Sequence, residues 1–203
     1  MALAPWEPTG ERKPSPDYKG EKDIAVIHTA VGKALSIWEH LESVLTRLFQ
    51  LLCETPHFAA CRAYGTIESS HVRAGLLRAA LDVFVSRRHP FDAGYLKDMK
   101  ALLSAYQKAQ EYRNNIAHGV VLSFYLSDGS HSKYFLCPAS SSTRKVEKLT
   151  VHEVYLLGAA YWYKVADIEN CSTRFTNMIG ETMNIIQGVN KKYAVLKDSE
   201  FHP

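Results

Sequence analysis

Residues 23–53 have the sequence DIAVIHTAVGKALSIWEHLESVLTRLFQLLC. Apolar side chains in this stretch recur at steps of three and four residues, which is the spacing of one face of a helix. The pattern therefore predicts one amphipathic helix of about eight turns that ends near Cys53, ahead of Pro56. The predicted apolar stripe consists of Ile27, Val31, Ala34, Leu35, Trp38, Leu41, Leu45, Leu48, Phe49 and Leu52.

A second helix is predicted from about Glu68 to Arg87, after an irregular stretch that extends through Gly65. It ends before Pro90, because the residue that precedes a proline disfavours helical backbone angles. Its predicted buried face consists of Val72, Leu76, Ala79, Ala80 and Val83.

A third helix is predicted from Asp92, a suitable N-cap residue, to about His118. Gly119 follows at the position where a glycine in the left-handed conformation commonly ends a helix. Its predicted buried stripe consists of Tyr95, Met99, Leu102, Tyr106, Ala109 and Ile116.

Between about residues 120 and 137 the pattern changes to two β-branched and aromatic runs on either side of Asp128-Gly129, which predicts a β-hairpin. Beyond it, Thr150-Val151-His152-Glu153 matches a capping box and predicts a last helix that reaches about residue 187. The aromatic residues of that helix are expected to pack in a core or a dimer interface rather than to stack on bases; they are Tyr155, Tyr161, Trp162 and Tyr163.

These elements predict a mainly α fold, an up-and-down bundle of about four long helices with one inserted β-hairpin. Residues 1–22 contain four prolines among charges and are expected to form a flexible N-terminal arm. Residues 23–190 form the helical domain, and residues 191–203 form a C-terminal tail. Helices of this length would extend beyond the core of a single copy, which favours a homodimer.

Composition limits the classes of function. The 203 residues carry a formal net charge of +3, too small to identify a nucleic-acid-binding protein by itself. The four cysteines show no C-x-x-C spacing, and the histidines form no metal-binding pattern, so neither a metal nor a cofactor is expected. No apolar run approaches the ~20 residues of a membrane span, and no signal peptide is evident. We therefore expect a cytoplasmic protein without a membrane partner.

The end of the third helix carries the candidate site. Arg113 lies within the apolar stripe, where its guanidinium either extends out to solvent, forms an ion pair with Glu39 or Glu42, or lines a cleft. Asn114 and His118 are four residues apart and share another face of the helix. A histidine here is also favourable simply as a cation beside the negative end of the helix dipole, so a structural role remains open.

The string Glu111-Tyr112-Arg113-Asn114-Asn115-Ile116-Ala117-His118-Gly119 resembles the signature of the HEPN superfamily. That signature is an arginine, usually followed by a polar residue, then four to six intervening residues and a histidine. Arg113 matches the arginine, Asn114 the polar position and His118 the histidine. The resemblance extends more loosely over residues 23–187, whereas the hairpin is absent from the minimal family fold. It implies a metal-independent endoribonuclease that acts at a homodimer interface, where two copies of the motif face each other.

The chemistry of these residues fits that implication. An imidazole titrates near neutral pH and can transfer the protons of RNA cleavage, so His118 would be the proton-transfer group. The guanidinium of Arg113 would stabilise the phosphorane, and the amide of Asn114 would orient the ring or the phosphate. On one helix Arg113 and His118 are about 140° apart, so a site composed from two copies would bring them together more easily.

Four further arginines, Arg73, Arg78, Arg87 and Arg88, are weaker candidates for binding an RNA backbone; a solvated charged face is the alternative. Two functions therefore stay open. The first is an endoribonuclease that is a bacterial toxin or defence component with a cognate antitoxin. The second is a non-catalytic HEPN-like dimer that acts as a binding or regulatory module.

Overall fold

The computed structural model describes residues 20–55, 57–88, 90–124, 133–139 and 161–194. The chain is mainly helical with one inserted antiparallel hairpin, as predicted. No helix within these ranges is both long and apolar enough to cross a membrane. In chain order the elements are α1 (Ile24–Leu52), α2 (Phe58–Gly65), α3 (Ser70–Ser86), α4 (Ala93–Ala117), β1 (Gly119–Phe124), β2 (Lys133–Pro138) and α5 (Val165–Tyr193).

Helix α1 matches its prediction at both ends, but the irregular stretch that follows it contains helix α2, which the prediction missed. Only Cys61 and Tyr64 are buried in α2, whereas Phe58 is exposed. Eight residues with two buried side chains are too few to show a helical period in the sequence.

The predicted buried face of α3 is wrong. Val72 and Val83 are 49% and 50% exposed, and the buried side chains are Ala74, Leu77, Leu81 and Phe84. Both sides of this helix are apolar, so periodicity alone does not distinguish them. The side with the larger residues is buried because it removes more apolar surface from water.

Helix α4 begins where predicted. The Oδ1 atom of Asp92 accepts hydrogen bonds from the backbone N–H groups of Gly94 (2.8 Å) and Tyr95 (3.3 Å), so Asp92 is the N-cap. The predicted stripe is buried except for Tyr95, which is half-buried.

Gly119 has a different role from the predicted one. It begins β1, and its φ lies outside the left-handed region. A Cβ atom at this position would lie 2.8 Å from the carbonyl oxygen of Asn115 and 2.8 Å from Cγ of Leu136. Glycine is therefore required here by close approach and not by backbone conformation.

Strands β1 and β2 pair from Gly119 opposite Pro138 to Phe124 opposite Lys133. The predicted Asp128-Gly129 turn lies outside the described residues. The other edge of β2 forms two isolated bridges, one between Tyr134 and Glu21 and one between Leu136 and Tyr163. These bridges protect an edge that would otherwise expose unpaired backbone groups.

The last helix begins later than predicted. Tyr161, Trp162 and Tyr163 precede α5 and are not helical, and the helix extends from Val165 to Tyr193. Aromatic residues favour extended backbone, and here the backbone of Tyr163 pairs with β2. The predicted capping box at residues 150–153 lies outside the described residues. Instead, the backbone N–H groups of Lys164 and Val165 donate to side-chain oxygens of Asp167 (3.0 Å) and Glu21 (3.1 Å).

The chain forms two compact units, residues 1–37 with 111–173 and residues 38–110 with 174–203. In the first unit, Phe135 packs edge-on against Trp162 in a small core that also contains Cys137. In the second unit, Trp38 stacks on Tyr106 and packs edge-on against Phe175.

Candidate functional site

The C-terminal end of α4, in the first unit, presents three polar side chains of the predicted motif. Nη1 of Arg113 donates a hydrogen bond to Oδ1 of Asn114 at 3.3 Å. Asn114 and His118 are both exposed, and the backbone N–H of His118 donates to the carbonyl oxygen of Asn114 at 3.0 Å. The amide and the imidazole are therefore one helical turn apart on an open surface, with the guanidinium bonded to the amide.

Arg113 itself is half-buried, and its Nε atom is fully buried. This agrees with the predicted position of Arg113 within the apolar stripe of α4. Of the two carboxylates proposed to pair with it, Glu42 belongs to the second unit, where both of its oxygens have other donors. The terminal nitrogens of a guanidinium are the atoms that bind phosphate, and one of them, Nη1 of Arg113, is bonded to Asn114.

Asn115 is a buried residue that supports this site, and the sequence did not reveal it. Its side chain is only 7% exposed, and its Nδ2 donates to the hydroxyl oxygen of Tyr163 at 2.9 Å. Its backbone carbonyl accepts a hydrogen bond from the hydroxyl of Tyr161, also at 2.9 Å. Asn115 lies off the apolar stripe of α4, so the helical period gave no signal that it would be buried.

The two tyrosines that hold Asn115 are themselves fixed. Their rings stack with centroids 4.6 Å apart, and the backbone of Tyr163 exchanges two 2.9 Å hydrogen bonds with Leu136 of β2. Burial raises the pKa of the Tyr163 hydroxyl well above its ordinary value, so it stays protonated at neutral pH. The last turn of α4 is therefore attached to the hairpin, which holds the backbone beneath Asn114 and His118 in place.

The second unit contains the four arginines predicted to contact RNA. Arg73 donates to Glu42 (Nη1 to Oε2, 2.9 Å) and to the carbonyl oxygen of Ile67 (Nε, 2.7 Å). Arg88 forms an ion pair with Glu54 and lies over the ring of Phe84, 4.1 Å from its centroid. Neighbouring carboxylates therefore balance both of these charges.

Arg78 is half-buried and Arg87 is exposed, and neither forms an ion pair within the part of the chain that the structure describes. These two guanidiniums are the ones available to a ligand. They belong to the second unit, whereas Arg113, Asn114 and His118 belong to the first.

Glu42 is the centre of a buried polar cluster that the sequence analysis did not predict. The carboxylate is 5% exposed and accepts hydrogen bonds from Arg73 and from the hydroxyl of Tyr106, the latter at 2.6 Å. Arg73 also lies over the ring of Tyr64, whose buried hydroxyl has no hydrogen-bond partner among the described residues. Burial, and the negative charge of Glu42, raise the pKa of both tyrosines. This cluster is a structural ion pair within the second unit.

Within the described ranges, no three histidine, cysteine, aspartate or glutamate side chains lie close enough together to hold a metal ion. Comparisons of the chain with protein-family models, with curated proteins and with solved structures found no match.

Proposed function

We propose that this protein is a metal-independent endoribonuclease whose site lies at the C-terminal end of α4 and is completed by a second copy of the chain. One observation carries the proposal: at the anchored C-terminal end of α4, the half-buried guanidinium of Arg113 is bonded to the exposed amide of Asn114, and the exposed imidazole of His118 lies one turn beyond that amide. These are the groups that bind a phosphodiester and transfer its protons.

In the proposed reaction, an imidazole removes the proton of the ribose 2′-hydroxyl, and the 2′-oxygen attacks the adjacent phosphorus. The bond from phosphorus to the 5′-oxygen breaks, and that oxygen receives a proton. The products are a 2′,3′-cyclic phosphate and a 5′-hydroxyl. Arg113 stabilises the negative charge that develops on the phosphorane. His118 of one copy is the base, Arg113 of the other copy lies at the same phosphate, and water supplies the proton of the leaving 5′-oxygen.

Cleavage of cellular RNA is harmful unless it is restrained. The proposed activity therefore implies a toxin or defence component with RNA as its substrate and a cognate antitoxin as its regulator. This setting is cytoplasmic, where such RNA is found.

A second candidate is a non-catalytic HEPN-like dimer that acts as a binding or regulatory module. The observation that favours it is the engagement of Arg113: Nε is buried and Nη1 is bonded to Asn114 of the same helix. A guanidinium held in this way can stabilise the end of the helix and thus have a structural role.

The test is cleavage of a mixed RNA substrate in EDTA by the wild type, His118→Ala and Arg113→Ala. His28→Ala is the matched control, because His28 is an exposed histidine on α1 outside the motif. We expect the wild type and the control to leave 2′,3′-cyclic phosphate ends. The two motif variants should be slower by about 10²-fold or more, which is the usual contribution of a proton-transfer group. A dimeric wild type that leaves RNA intact would overturn the proposal in favour of the binding module.

A further inference from the structure

Helix α3 has a second apolar face, which is directed to solvent. Val72, Leu76, Ala79 and Val83 are spaced at steps of four, three and four residues, so they share one side of the helix. Val72 and Val83 are half exposed, and Ala79 is exposed. Gly75 extends the same side, and a Cβ atom built on it would meet nothing within 4 Å. We call these five residues the α3 outer face.

This face differs from the ordinary solvent side of an amphipathic helix. Single exposed apolar residues are common on protein surfaces, whereas four aligned over three turns form a contiguous patch. The small residues near its middle, Gly75 and Ala79, allow the backbone of another helix to approach closely. The shape and the polarity of the α3 outer face therefore suit a partner helix.

The charges on one edge of this face identify the partner. Arg78 and Asp82 lie one turn apart on that edge, and neither forms an ion pair within the described residues. When two identical helices pack antiparallel, like edges meet, and opposing residues lie equally far from the two-fold axis. An axis beside Ala80 places Arg78 opposite Asp82 of the partner subunit. The symmetry repeats the pair, so one edge gives two salt bridges between copies.

We propose that the α3 outer face is the contact surface for a second copy of this chain, with the two α3 helices antiparallel about an axis beside Ala80. With this axis, Leu76 lies close to Val83 of the partner subunit. Ala79 lies beside the axis, where the two helices are nearest to each other. This inference does not rest on the proposed nuclease activity, because it uses none of the motif residues.

The opposite edge of the face is compatible with this arrangement. This edge carries Arg87, which lies opposite Arg73 of the partner subunit. The carboxylate of Glu42 holds the guanidinium of Arg73 at 2.9 Å and balances its charge. Repulsion across this edge is therefore small, and the charges of Arg78 and Asp82 determine the orientation.

The first test measures molecular mass by light scattering. The wild type should be a dimer, and Ala79→Glu should be a single chain, because it places two carboxylates together at the axis. Val26→Glu is the matched control: Val26 is 41% exposed on α1, outside the α3 outer face, and this variant should remain a dimer. Circular dichroism checks that both variants fold. A monomeric wild type, or a folded Ala79→Glu variant that stays dimeric, overturns the inference.

The second test uses the symmetry. Arg78→Glu and Asp82→Arg each place like charges opposite one another in a homodimer, so each variant alone should dimerise at least about tenfold more weakly, a change of roughly 1.4 kcal/mol. When the two variants are mixed, every opposing pair becomes attractive, and a heterodimer should form. Absence of a heterodimer contradicts the antiparallel arrangement. A dimer that depends on α3 and leaves RNA intact supports this inference while it contradicts the proposed function.

Discussion

Asn115 shows how a buried amide can position a candidate site without belonging to it. The side chain donates to Tyr163, and the backbone carbonyl accepts from Tyr161, so one residue has two tyrosine partners. Asn114, the next residue towards the N-terminus, is exposed. The two asparagines are identical in sequence and opposite in role, because one turn of a helix directs adjacent side chains about 100° apart.

Glu42 is a residue whose removal should destabilise the protein strongly. We expect Glu42→Leu to lower the free energy of unfolding by about 3 kcal/mol, because it removes the shared acceptor of Arg73, which is half-buried, and Tyr106, which is fully buried. Urea denaturation measures the change. The double variant Glu42→Leu with Arg73→Met should recover part of the loss, since it removes the stranded charge as well.

The matched control is Glu68→Leu, at an exposed carboxylate, which should change the free energy of unfolding by less than about 0.5 kcal/mol. If Glu42→Leu is as mild as this control, the cluster does not contribute to stability.

At the level of the elements, the structure depends on how each helix begins and ends. Asp92 caps α4, and Glu21 accepts a hydrogen bond from the first N–H of α5. Just after the end of α1, Glu54 has a φ of 54°. The N–H of Glu54 donates to the carbonyl oxygen of Leu51, and the N–H of Thr55 donates to the carbonyl oxygen of Gln50. This is a Schellman motif in which a glutamate occupies the position that usually holds glycine.

The cap at Asp92 should make stability depend on acid pH. The ammonium of Lys192 and then the N–H groups of Tyr95 and Gly94 hold the pKa of this carboxyl below its ordinary value. A carboxyl whose pKa is lower in the folded state stabilises the fold at pH values above its pKa in the unfolded chain, which is about 4. This stabilisation is lost as the pH falls through the pKa of the folded state. Asp92→Asn should therefore lower Tm at pH 7 but not at pH 2.

The effect is expected to be small, since solvent screens an exposed pair. Thermal melts of wild type and variant from pH 2 to pH 7 measure it. Asp98→Asn, at an exposed carboxylate on the same helix, is the control and should melt like the wild type throughout. A difference between wild type and Asp92→Asn that persists unchanged at pH 2 would contradict the assignment.

The long elements of this fold were predictable from sequence because each has many residues in one period. Helices α1 and α4 and the hairpin were placed within one or two residues of their observed ends. Helix α2 was missed because it is short, and the extended segment at Tyr161–Tyr163 was missed because its partner, β2, is distant in sequence. The prediction of which side of α3 is buried was wrong because both sides of this helix are apolar.

Across the whole molecule, the motif at the C-terminal end of α4 is supported by residues that no local pattern indicated. The motif at Arg113, Asn114 and His118 could be chosen by residue type and spacing. The contacts of Asn115 with Tyr161 and Tyr163 required the fold, since 46 and 48 residues separate the partners.

We propose that the dimer has two RNA-cleaving sites, each of which takes Arg113 from one copy of the chain and His118 from the other. Mixing of the His118→Ala and Arg113→Ala chains under conditions that allow subunit exchange tests it most directly. Each variant alone has no complete site. In a mixed dimer, one of the two sites receives an intact Arg113 and an intact His118.

The measurement is the rate of RNA cleavage in EDTA by the two inactive variants, before and after mixing. Random exchange makes half of the dimers mixed, and each has one complete site of two, so we predict recovery to about a quarter of the wild-type rate. If the wild type cleaves RNA and the mixture stays as inactive as its components, each site takes both residues from the same copy. The proposal of a site shared between two copies would then be wrong.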